Sequence, residues 1–221
     1  MEAISLTGLT LQVGRSERYL KRLCANIDQH YNGSTREKEG GGERIIHEPS
    51  DQLSSVQGAI HESFLQRPRW PDWLFGAGDG KAQRENAEAH LGLNHHFVTD
   101  ILDFYPSVSN QEVYDIFDMG LGFTPDSARI ATRLTTYQGS LPQGTKTSPR
   151  LADLAFLDVD QSMASFCESR GIMYTRYADD LTSLRSAPSS PIYLRSNQLS
   201  TREIFGSMRV RKQGIRRVRL R

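Results

Sequence analysis

Apolar residues recur at helical spacing in two early segments of the chain. Residues three and four apart lie on the same face of a helix, so each stripe predicts an amphipathic helix. The first stripe falls within residues 14–30 and the second within residues 53–64. Their members are Leu20, Leu23 and Ile27, then Leu53, Val56, Ile60 and Phe64.

Helix-start signals predict three further helices. Ser109 followed by Glu112 is a capping-box pattern, which opens a helix through Phe117. Thr124-Pro125 places proline at the first helical position, and Gly139 lies beyond the end of that helix. The dipeptide at 148–149, Ser-Pro, begins a third helix, whose leucines and alanines suit burial.

Strand signals lie between these helices. Residues 44–47 read as a short strand before Pro49, and the polar segment 32–42 (NGSTREKEGGG) predicts a turn or hairpin tip. Residues 67–81 predict an irregular loop, and residues 96–102 form a β-rich run. Residues 172–177 and 181–184 predict a hairpin whose tight turn holds Ala178, Asp179 and Asp180.

Composition is that of an ordinary soluble protein, with 37% hydrophobic and 24% charged residues. Cys24 and Cys167 give neither a disulfide framework nor a metal-binding spacing. No apolar run approaches the roughly 20 residues that span a bilayer. The first residues lack the basic start and cleavage site of a signal peptide. We therefore expect a cytoplasmic protein with no membrane partner.

Charge is divided unevenly along the chain. Residues 185–221 hold ten of the 27 basic residues and one of the 26 acidic ones, Glu203, a balance of +9. Subtraction leaves 17 basic and 25 acidic residues in 1–184, a balance of −8. Composition alone does not make the acidic body a nucleic-acid binder, so that inference depends on motifs.

Three carboxylates occupy positions that suggest chemistry. Asp100 lies inside an apolar β-run, where a charge is costly without a partner. Asp179 and Asp180 are adjacent in a predicted hairpin turn, where a cation would relieve their repulsion. Hard oxygen ligands suit Mg²⁺. By itself an Asp-Asp pair in a turn is usually only solvated, since Asp favours turns; the ordered set of motifs changes that balance.

Two other features are set aside. The glycine-rich segment 76–81 (GAGDGK) lacks the spacing of a phosphate-binding loop, and Ala82 follows its lysine. The pair His95 and His96 has no spaced cysteine or carboxylate partner that would complete a metal site.

Three segments, in order, resemble the motifs of reverse transcriptases: FVTDILDFYPSV at 97–108, LPQGTKTSP at 141–149 and YTRYADDLT at 174–182. Upstream, EGGGERIIHEP at 39–49 is similar to the fingers hairpin of that family. The element NAEAH at 86–90 and the wording YADDLT resemble the bacterial retron branch. The resemblance covers about residues 10–184.

The resemblance implies a role for each matched residue. Asp100, Asp179 and Asp180 would be catalytic metal ligands, with the Ile101 carbonyl as a further contact. Nucleotide-binding roles fall to residues that meet phosphate, sugar or template, namely Arg44, Lys81, Tyr105, Gln143 and Gly144. Of these, Arg44 and Lys81 would neutralise triphosphate oxygens, and Tyr105 would lie under the sugar and exclude a 2′-hydroxyl. For each of the three, a structural or solvated role is the alternative.

The resemblance also implies an α+β fold, the fingers and palm of a polymerase right hand with its thumb missing. Residues 1–95 would form the N-terminal helix and fingers, and residues 96–184 the palm, with second fingers helices at about 120–140. Residues 185–221 depart from the family, and we expect a truncated or frame-shifted product with a poorly ordered basic tail. The alternative is a basic arm that grips RNA phosphates.

The implied function is RNA-directed DNA synthesis by a retron-type enzyme acting in phage defence. Its cofactor would be Mg²⁺, with Mn²⁺ as a substitute, and its substrates deoxynucleoside triphosphates. A structured non-coding RNA would supply template and primer, and a protein effector would be a further partner. Two alternatives stay open: an inactive remnant that only binds RNA or protein, and a reverse transcriptase of the group II intron or diversity-generating type.

Overall fold

The computed structural model of the chain describes residues 3–37, 41–76, 81–91, 95–185 and 218–220. In chain order its helices are α1 (Leu6–Val13), α2 (Glu17–Ala25), α3 (Asp51–Ile60), α4 (Gln83–Ala89), α5 (Asn110–Asp115), α6 (Pro125–Thr135) and α7 (Ser148–Glu168). Its strands are β1 (Tyr31–Glu37), β2 (Glu43–Pro49), β3 (Leu74–Phe75), β4 (His95–Ile101), β5 (Met173–Tyr177), β6 (Asp180–Arg185) and β7 (Val218–Leu220). This mixture of helices and sheet confirms the α+β class.

Internal contacts divide the chain into two units. The first comprises Met1–Arg69 with Asp103–Ala155, and the second comprises Trp70–Leu102 with Phe156–Arg221. The sequence-based division at 95 and 184 follows motif boundaries, whereas these units are interleaved along the chain. That three-part division stays a prediction.

Serine side chains cap the start of four helices in the first unit. Oxygens of Ser5, Ser16, Ser50 and Ser109 each accept a hydrogen bond from a backbone N–H in the first turn of the helix that follows. At Ser109 the Glu112 carboxylate also accepts from the Ser109 N–H at 2.9 Å, which completes the predicted capping box. Each cap satisfies amides that the helix itself leaves unpaired.

The predicted apolar stripes form the core of this unit. The stripe residues of α2, α3 and the turns that follow them are all buried: Leu20, Leu23, Ile27, Leu53, Val56, Ile60 and Phe64. A π-helical turn, His61–Leu65, extends α3 and carries Phe64 against Phe123, with ring centroids 4.9 Å apart. The fully buried Gln57 donates to the Tyr31 hydroxyl and to the Leu134 carbonyl, both at 2.9 Å.

One local prediction is wrong. Residues 31–37 form strand β1, whereas the sequence predicted a turn or hairpin tip over the whole of residues 32–42. Polar residues with little intrinsic β preference are held there by antiparallel pairing with β2, from Tyr31 opposite Pro49 to Glu37 opposite Glu43. A tertiary partner therefore overrides local propensity. Helices α1 and α4 were not predicted either.

The second unit is built on a five-stranded sheet of order β3-β5-β6-β4-β7. The predicted hairpin is confirmed as β5 and β6, which pair antiparallel, and β4 pairs antiparallel with the other side of β6. Helix α4 is attached through His90, whose Nε2 lies 3.0 Å from the Thr175 hydroxyl. This contact gives the 86–90 element a structural role.

Strand β7 adds to the outer side of β4, with Arg219 opposite Asp100. The rest of the basic tail, residues 186–217 and 221, lies outside the described residues, so its predicted disorder is untested. Among the helices that the structure describes, none has both the length and the apolar character needed to cross a membrane.

Candidate functional site

The sheet brings the predicted carboxylates to one end of neighbouring strands. Asp100 on β4 is the cross-strand partner of Asp180 on β6. Asp180 in turn pairs with Tyr177 across the hairpin, and Ala178 and Asp179 form the turn between them. Asp179 and Asp180 are exposed and Asp100 is half-buried. Residues distant in sequence are therefore adjacent in this unit.

A backbone hydrogen bond fixes this arrangement. The Ile101 N–H donates to the Asp179 carbonyl at 2.9 Å, which ties the hairpin turn to the end of β4. Ala178 has a φ of 52°, in the left-handed region that non-glycine residues rarely adopt. The turn is therefore held in a specific conformation next to Asp100.

The two faces of the sheet differ in exposure. Side chains alternate along a strand, so Val98 and Asp100 share one face of β4 and Thr99 lies on the other. Val98 is 42% exposed, whereas Thr99 is 1% exposed and the paired Leu181 is 6% exposed. The Asp100 and Asp180 carboxylates therefore stand on the accessible face, and Asp179 is exposed in the adjoining turn.

The donor set suits a hard divalent cation. Within the described ranges no three His, Cys, Asp or Glu side chains are already grouped as a metal site. Mg²⁺ is commonly held by one or two carboxylates together with waters and substrate phosphates, so a preformed protein cage is not required. The carboxylates of Asp100, Asp179 and Asp180 have the right chemistry, and the Ile101 carbonyl stays a predicted ligand.

A second candidate region lies in the first unit, on the β1–β2 hairpin. Arg44 is exposed and has no ion-pair partner in the described part of the chain. Its cross-strand partner is Arg36, which contacts Glu48 at 3.5 Å in an exposed pair. Like charges directly opposite in a ladder are destabilising. A bound anion would relieve this repulsion.

The loop that carries Gln143 and Gly144 docks on the same hairpin. The Gln143 carbonyl accepts from the His47 N–H at 2.8 Å. Gly144 has a φ of 109°, and a Cβ there would lie 2.7 Å from Ile46 Cγ2 and 3.2 Å from the His47 carbonyl oxygen. Glycine is therefore required by the packing of the loop on β2, whatever its role toward a nucleotide.

Hydrogen bonds make this loop rigid up to the start of α7. The Ser148 hydroxyl donates to the Pro142 carbonyl at 2.6 Å, and the hydroxyls of Thr145 and Ser148 lie 2.7 Å apart. Thr145, Thr147 and Ser148 are buried. The backbone around Gln143 is thus fixed from both ends.

His47 contributes apolar packing beneath the hairpin. Its ring lies 5.0 Å from that of Tyr137 and 6.4 Å from that of Tyr31. Burial lowers the pKa of His47 below 6.5. The imidazole is therefore neutral at physiological pH and adds no positive charge to the region around Arg44.

Tyr105 and Lys81 lie in different units. In the first unit Tyr105 is half-buried, with its ring centroid 5.0 Å from that of Phe104. In the second, Lys81 Nζ donates to the Pro71 carbonyl at 2.5 Å and lies 3.4 Å from an Asp72 carboxylate oxygen. The Lys81 ammonium is therefore held by its own loop. The nucleotide-binding roles of both residues stay predictions.

Two arginines that the sequence did not single out belong to these regions. Arg36 becomes apparent only from the hairpin register, which places it opposite Arg44. Arg176 is fully buried on β5, at a position where the period of two points a side chain away from the carboxylate face. An arginine at an inward position of a strand is the sequence signal that could have identified it.

Residues 77–80 and the side chains of His95 and His96 lie outside the described residues. The rejection of the glycine-rich segment as a phosphate-binding loop, and of the histidine pair as a metal site, therefore stays a prediction.

Comparison with models of protein families found no match. Comparison with individual proteins found several relatives. The chain is 33% identical to the retron Ec86 reverse transcriptase of Escherichia coli over 165 residues, which are 74% of this chain and 51% of that protein. It is 30% identical to the retron Se72 reverse transcriptase of Salmonella heidelberg over 179 residues, or 80% and 47% of the two chains. The similarity to retron reverse transcriptases is thereby confirmed.

The chain spans about half the length of the curated relatives it matches. Among solved structures, one similar to this chain is the telomerase from Candida albicans in complex with a fragment of telomeric RNA. The two share 10% sequence identity with a TM-score of 0.47, over 83% of this chain and 43% of the other.

Proposed function

We propose that this chain, a sequence relative of the retron reverse transcriptases, carries the fingers and palm of an RNA-directed DNA polymerase. The observation that supports this most directly is the cross-strand pairing of Asp100 with Asp180, with Asp179 tied to the same strand end. Three acidic side chains on one accessible sheet end match the carboxylate requirement of nucleotidyl transfer. The similarity of the matched relatives supports the same reaction.

In this proposal the carboxylates of Asp100, Asp179 and Asp180 hold Mg²⁺, with Mn²⁺ as a substitute and the Ile101 carbonyl as an additional ligand. Two such ions, when bound, would activate the primer hydroxyl and neutralise the leaving pyrophosphate. The contribution of the chain is positioning: the β4–β6 register and the Ile101–Asp179 hydrogen bond set where the carboxylates stand before substrate arrives.

The first unit would bind the incoming deoxynucleoside triphosphate. Arg44 and Arg36 form a pair of cations on the hairpin, suited to phosphate oxygens. The rigid Gln143–Gly144 backbone would line the base and template side. Tyr105 would exclude a 2′-hydroxyl. Lys81, which lies in the second unit, stays a separate predicted contact to phosphate.

The template and primer would come from a structured non-coding RNA, as the retron character of the relatives suggests. Phage defence with a protein effector is the corresponding biological role. A β-hairpin unit and a sheet unit that bears the carboxylates are consistent with the proposed fold, the fingers and palm of a polymerase right hand.

The test is single-nucleotide incorporation by the purified chain on a DNA primer annealed to an RNA template. We expect incorporation that requires Mg²⁺ or Mn²⁺, stops with a chelator and is lost in Asp179→Asn. Asp158→Asn, an exposed acidic residue on α7, is the matched control and should be active. RNA binding without any incorporation in either metal would favour the binding-module alternative and contradict the proposal.

A further inference from the structure

Arg176 is a buried cation in the middle of the second unit. It lies on β5, which has a strand on either side, and its side chain is 0% exposed. A guanidinium removed from water is costly unless its donors are used in good geometry. Its partners therefore indicate what this position is required for.

One partner is Asp160 on α7, itself 1% exposed. Arg176 Nε donates to one Asp160 carboxylate oxygen at 2.8 Å, and Nη2 lies 2.7 Å from the same oxygen. The other carboxylate oxygen accepts from the Tyr174 hydroxyl at 2.7 Å. This network joins helix α7 to strand β5.

The other partner lies in the turn that carries the acidic pair. Arg176 Nη1 donates to the Ala178 carbonyl at 2.8 Å. That carbonyl belongs to the peptide group directly before Asp179. The Ile101 N–H holds the carbonyl of Asp179 itself at 2.9 Å. The two peptide groups that flank the Asp179 side chain are thus each fixed by a hydrogen bond.

The conformation of Ala178 explains why such an anchor is needed. Its φ of 52° places a non-glycine residue in the left-handed region, which is costly and persists only when the surroundings enforce it. The Arg176–Ala178 hydrogen bond is one such restraint. Loss of it would allow the turn to relax and move the Asp179 carboxylate.

We infer that Arg176 is a positioning residue for Asp179, acting through the Ala178 carbonyl while Asp160 holds its guanidinium in place. This inference rests on the proposed function, because it assigns Asp179 a divalent cation. It also accounts for arginine rather than lysine. The planar guanidinium presents several donors in fixed directions, so it reaches Asp160 and Ala178 together, whereas one ammonium on a flexible stem does not.

Two variants of the full chain test the inference. Arg176→Lys keeps the buried charge beside Asp160 but loses the fork that reaches Ala178. The double variant Arg176→Met with Asp160→Leu replaces the ion pair with apolar side chains, a change that buried pairs often tolerate. It also lacks the contact to Ala178. Arg150→Lys is the matched control, because Arg150 forms a largely buried ion pair with Asp153 on the same helix, at 3.5 Å.

The primary readout is Mn²⁺ binding, measured by electron paramagnetic resonance on the purified chain without nucleotide. We expect both Arg176 variants to bind Mn²⁺ at least about tenfold more weakly than wild type, as for residues that orient metal ligands. The Mg²⁺ concentration for half-maximal single-nucleotide incorporation should rise by the same factor. Arg150→Lys should leave both values unchanged, whatever its effect on thermal stability.

Rescue separates positioning from general stability. Glycine adopts a positive φ without steric cost. Ala178→Gly added to Arg176→Lys should therefore recover part of the Mn²⁺ affinity. The gain in melting temperature from the relieved strain should also appear when Ala178→Gly is added to Arg150→Lys, where the Mn²⁺ affinity should not change. A purely structural role would not produce that difference.

The outcomes are distinct. A lowered melting temperature with unchanged Mn²⁺ affinity in the Arg176 variants would overturn the inference and leave the proposed function standing. Failure of both variants to fold would show that the cluster is structural, and would overturn it as well. A wild-type chain that neither binds Mn²⁺ nor incorporates a nucleotide would remove the proposed function itself.

Discussion

Asp100 and Asp180 are direct partners in the last pair of the β4–β6 ladder. Two carboxylates opposite each other weaken a sheet, since like charges at cross-strand positions repel. Natural proteins retain such repulsion at sites where a bound ligand of opposite charge offsets it. Under the proposed function, the pairing would connect the stability of the second unit to divalent cations.

This connection predicts the behaviour of Asp180→Asn. In the presence of a chelator the substitution should stabilise the chain by up to about 1 kcal/mol, because it removes one of two like charges. Added Mn²⁺ should raise the melting temperature of wild type but not that of the variant, since only wild type gains binding energy. Thermal unfolding with and without Mn²⁺ measures both effects.

Asp158→Asn is the control for that experiment, because Asp158 is an exposed acidic residue on α7. It should retain the Mn²⁺ response of wild type. An equal Mn²⁺ shift in Asp180→Asn would mean that the cation binds elsewhere.

The hairpin arginines predict a coupled effect on nucleotide affinity. Arg36→Ala and Arg44→Ala should each raise the KM for deoxynucleoside triphosphate by about tenfold, since hydrogen bonds to charged groups contribute about 1.5–3 kcal/mol. Neither should lower the melting temperature, because each removes a repulsive cross-strand pair and the Arg36–Glu48 contact, which Arg36→Ala also removes, is exposed and weak. Steady-state single-nucleotide kinetics with the double variant would give the coupling energy.

For the arginine pair, Arg129→Ala serves as the comparison, since Arg129 is exposed and paired with Asp126 on α6. Its KM should match wild type. Additive or absent effects of Arg36 and Arg44 would show that the pair does not bind one common anion.

Gly144→Ala should destabilise the first unit by about 1–3 kcal/mol, through backbone strain and overpacking. Its φ of 109° disfavours any side chain, and a Cβ would lie 2.7 Å from Ile46 Cγ2. Gly122→Ala isolates the strain, because Gly122 has a φ of 73° and a Cβ there would meet no neighbouring group within 4 Å. Urea unfolding of the two variants gives the comparison.

The difference in unfolding free energy between the two glycine variants measures the cost of the clash between a Cβ at position 144 and β2. Adding Ile46→Ala to Gly144→Ala should recover part of that lost stability. Equal destabilisation by Gly144→Ala and Gly122→Ala would indicate that the loop packs less closely on the hairpin than the structure shows.

We expect the buried His61 to make the protein less stable in mild acid. Its Nδ1 is buried and has no hydrogen-bond partner within the described ranges. Burial, and then the positive charge of Arg150, lower its pKa below the ordinary 6.5, with a further contribution from Lys146. The folded state therefore binds this proton less readily than the unfolded state does. The stability that comes from keeping His61 neutral is fully present above pH 6.5 and is lost as the pH falls through the lower pKa of the folded state.

The measurement is the melting temperature of wild type and His61→Gln between pH 7.5 and 5. Wild type should lose stability as the pH falls, and the variant should lose less. Part of the dependence of melting temperature on pH will persist in the variant, since burial also lowers the pKa of His47. Parallel curves for the two proteins would exclude His61 as a source of the acid sensitivity.

The elements of the fold that could be predicted from sequence are those encoded by residues close together in the chain. The capping box at Ser109 and the stripe of Leu20, Leu23 and Ile27 encode their structure within a few residues, and both are confirmed. Strand β1 was missed because its polar residues form a strand only through pairing with β2.

The candidate site shows the same division. The adjacency of Asp100 to the hairpin pair could be anticipated because all three residues lie in recognisable segments. The anchoring of Asp179 by Arg176 and Ile101 could not, because it depends on backbone carbonyls whose direction no residue type encodes. Arg36 likewise acquired meaning only from the strand register.

The register of β4 against β6, which the hydrogen bond from Ile101 to Asp179 closes, also limits insertions and deletions in β4. Side chains alternate along a strand, so a slip of β4 by one position against β6 would put Thr99 or Ile101 where Asp100 now stands. A single codon gained or lost within β4 would therefore remove an acidic group from the site while every carboxylate remained in the sequence. Homologues should accordingly vary in residue type along this strand far more readily than in its number of residues.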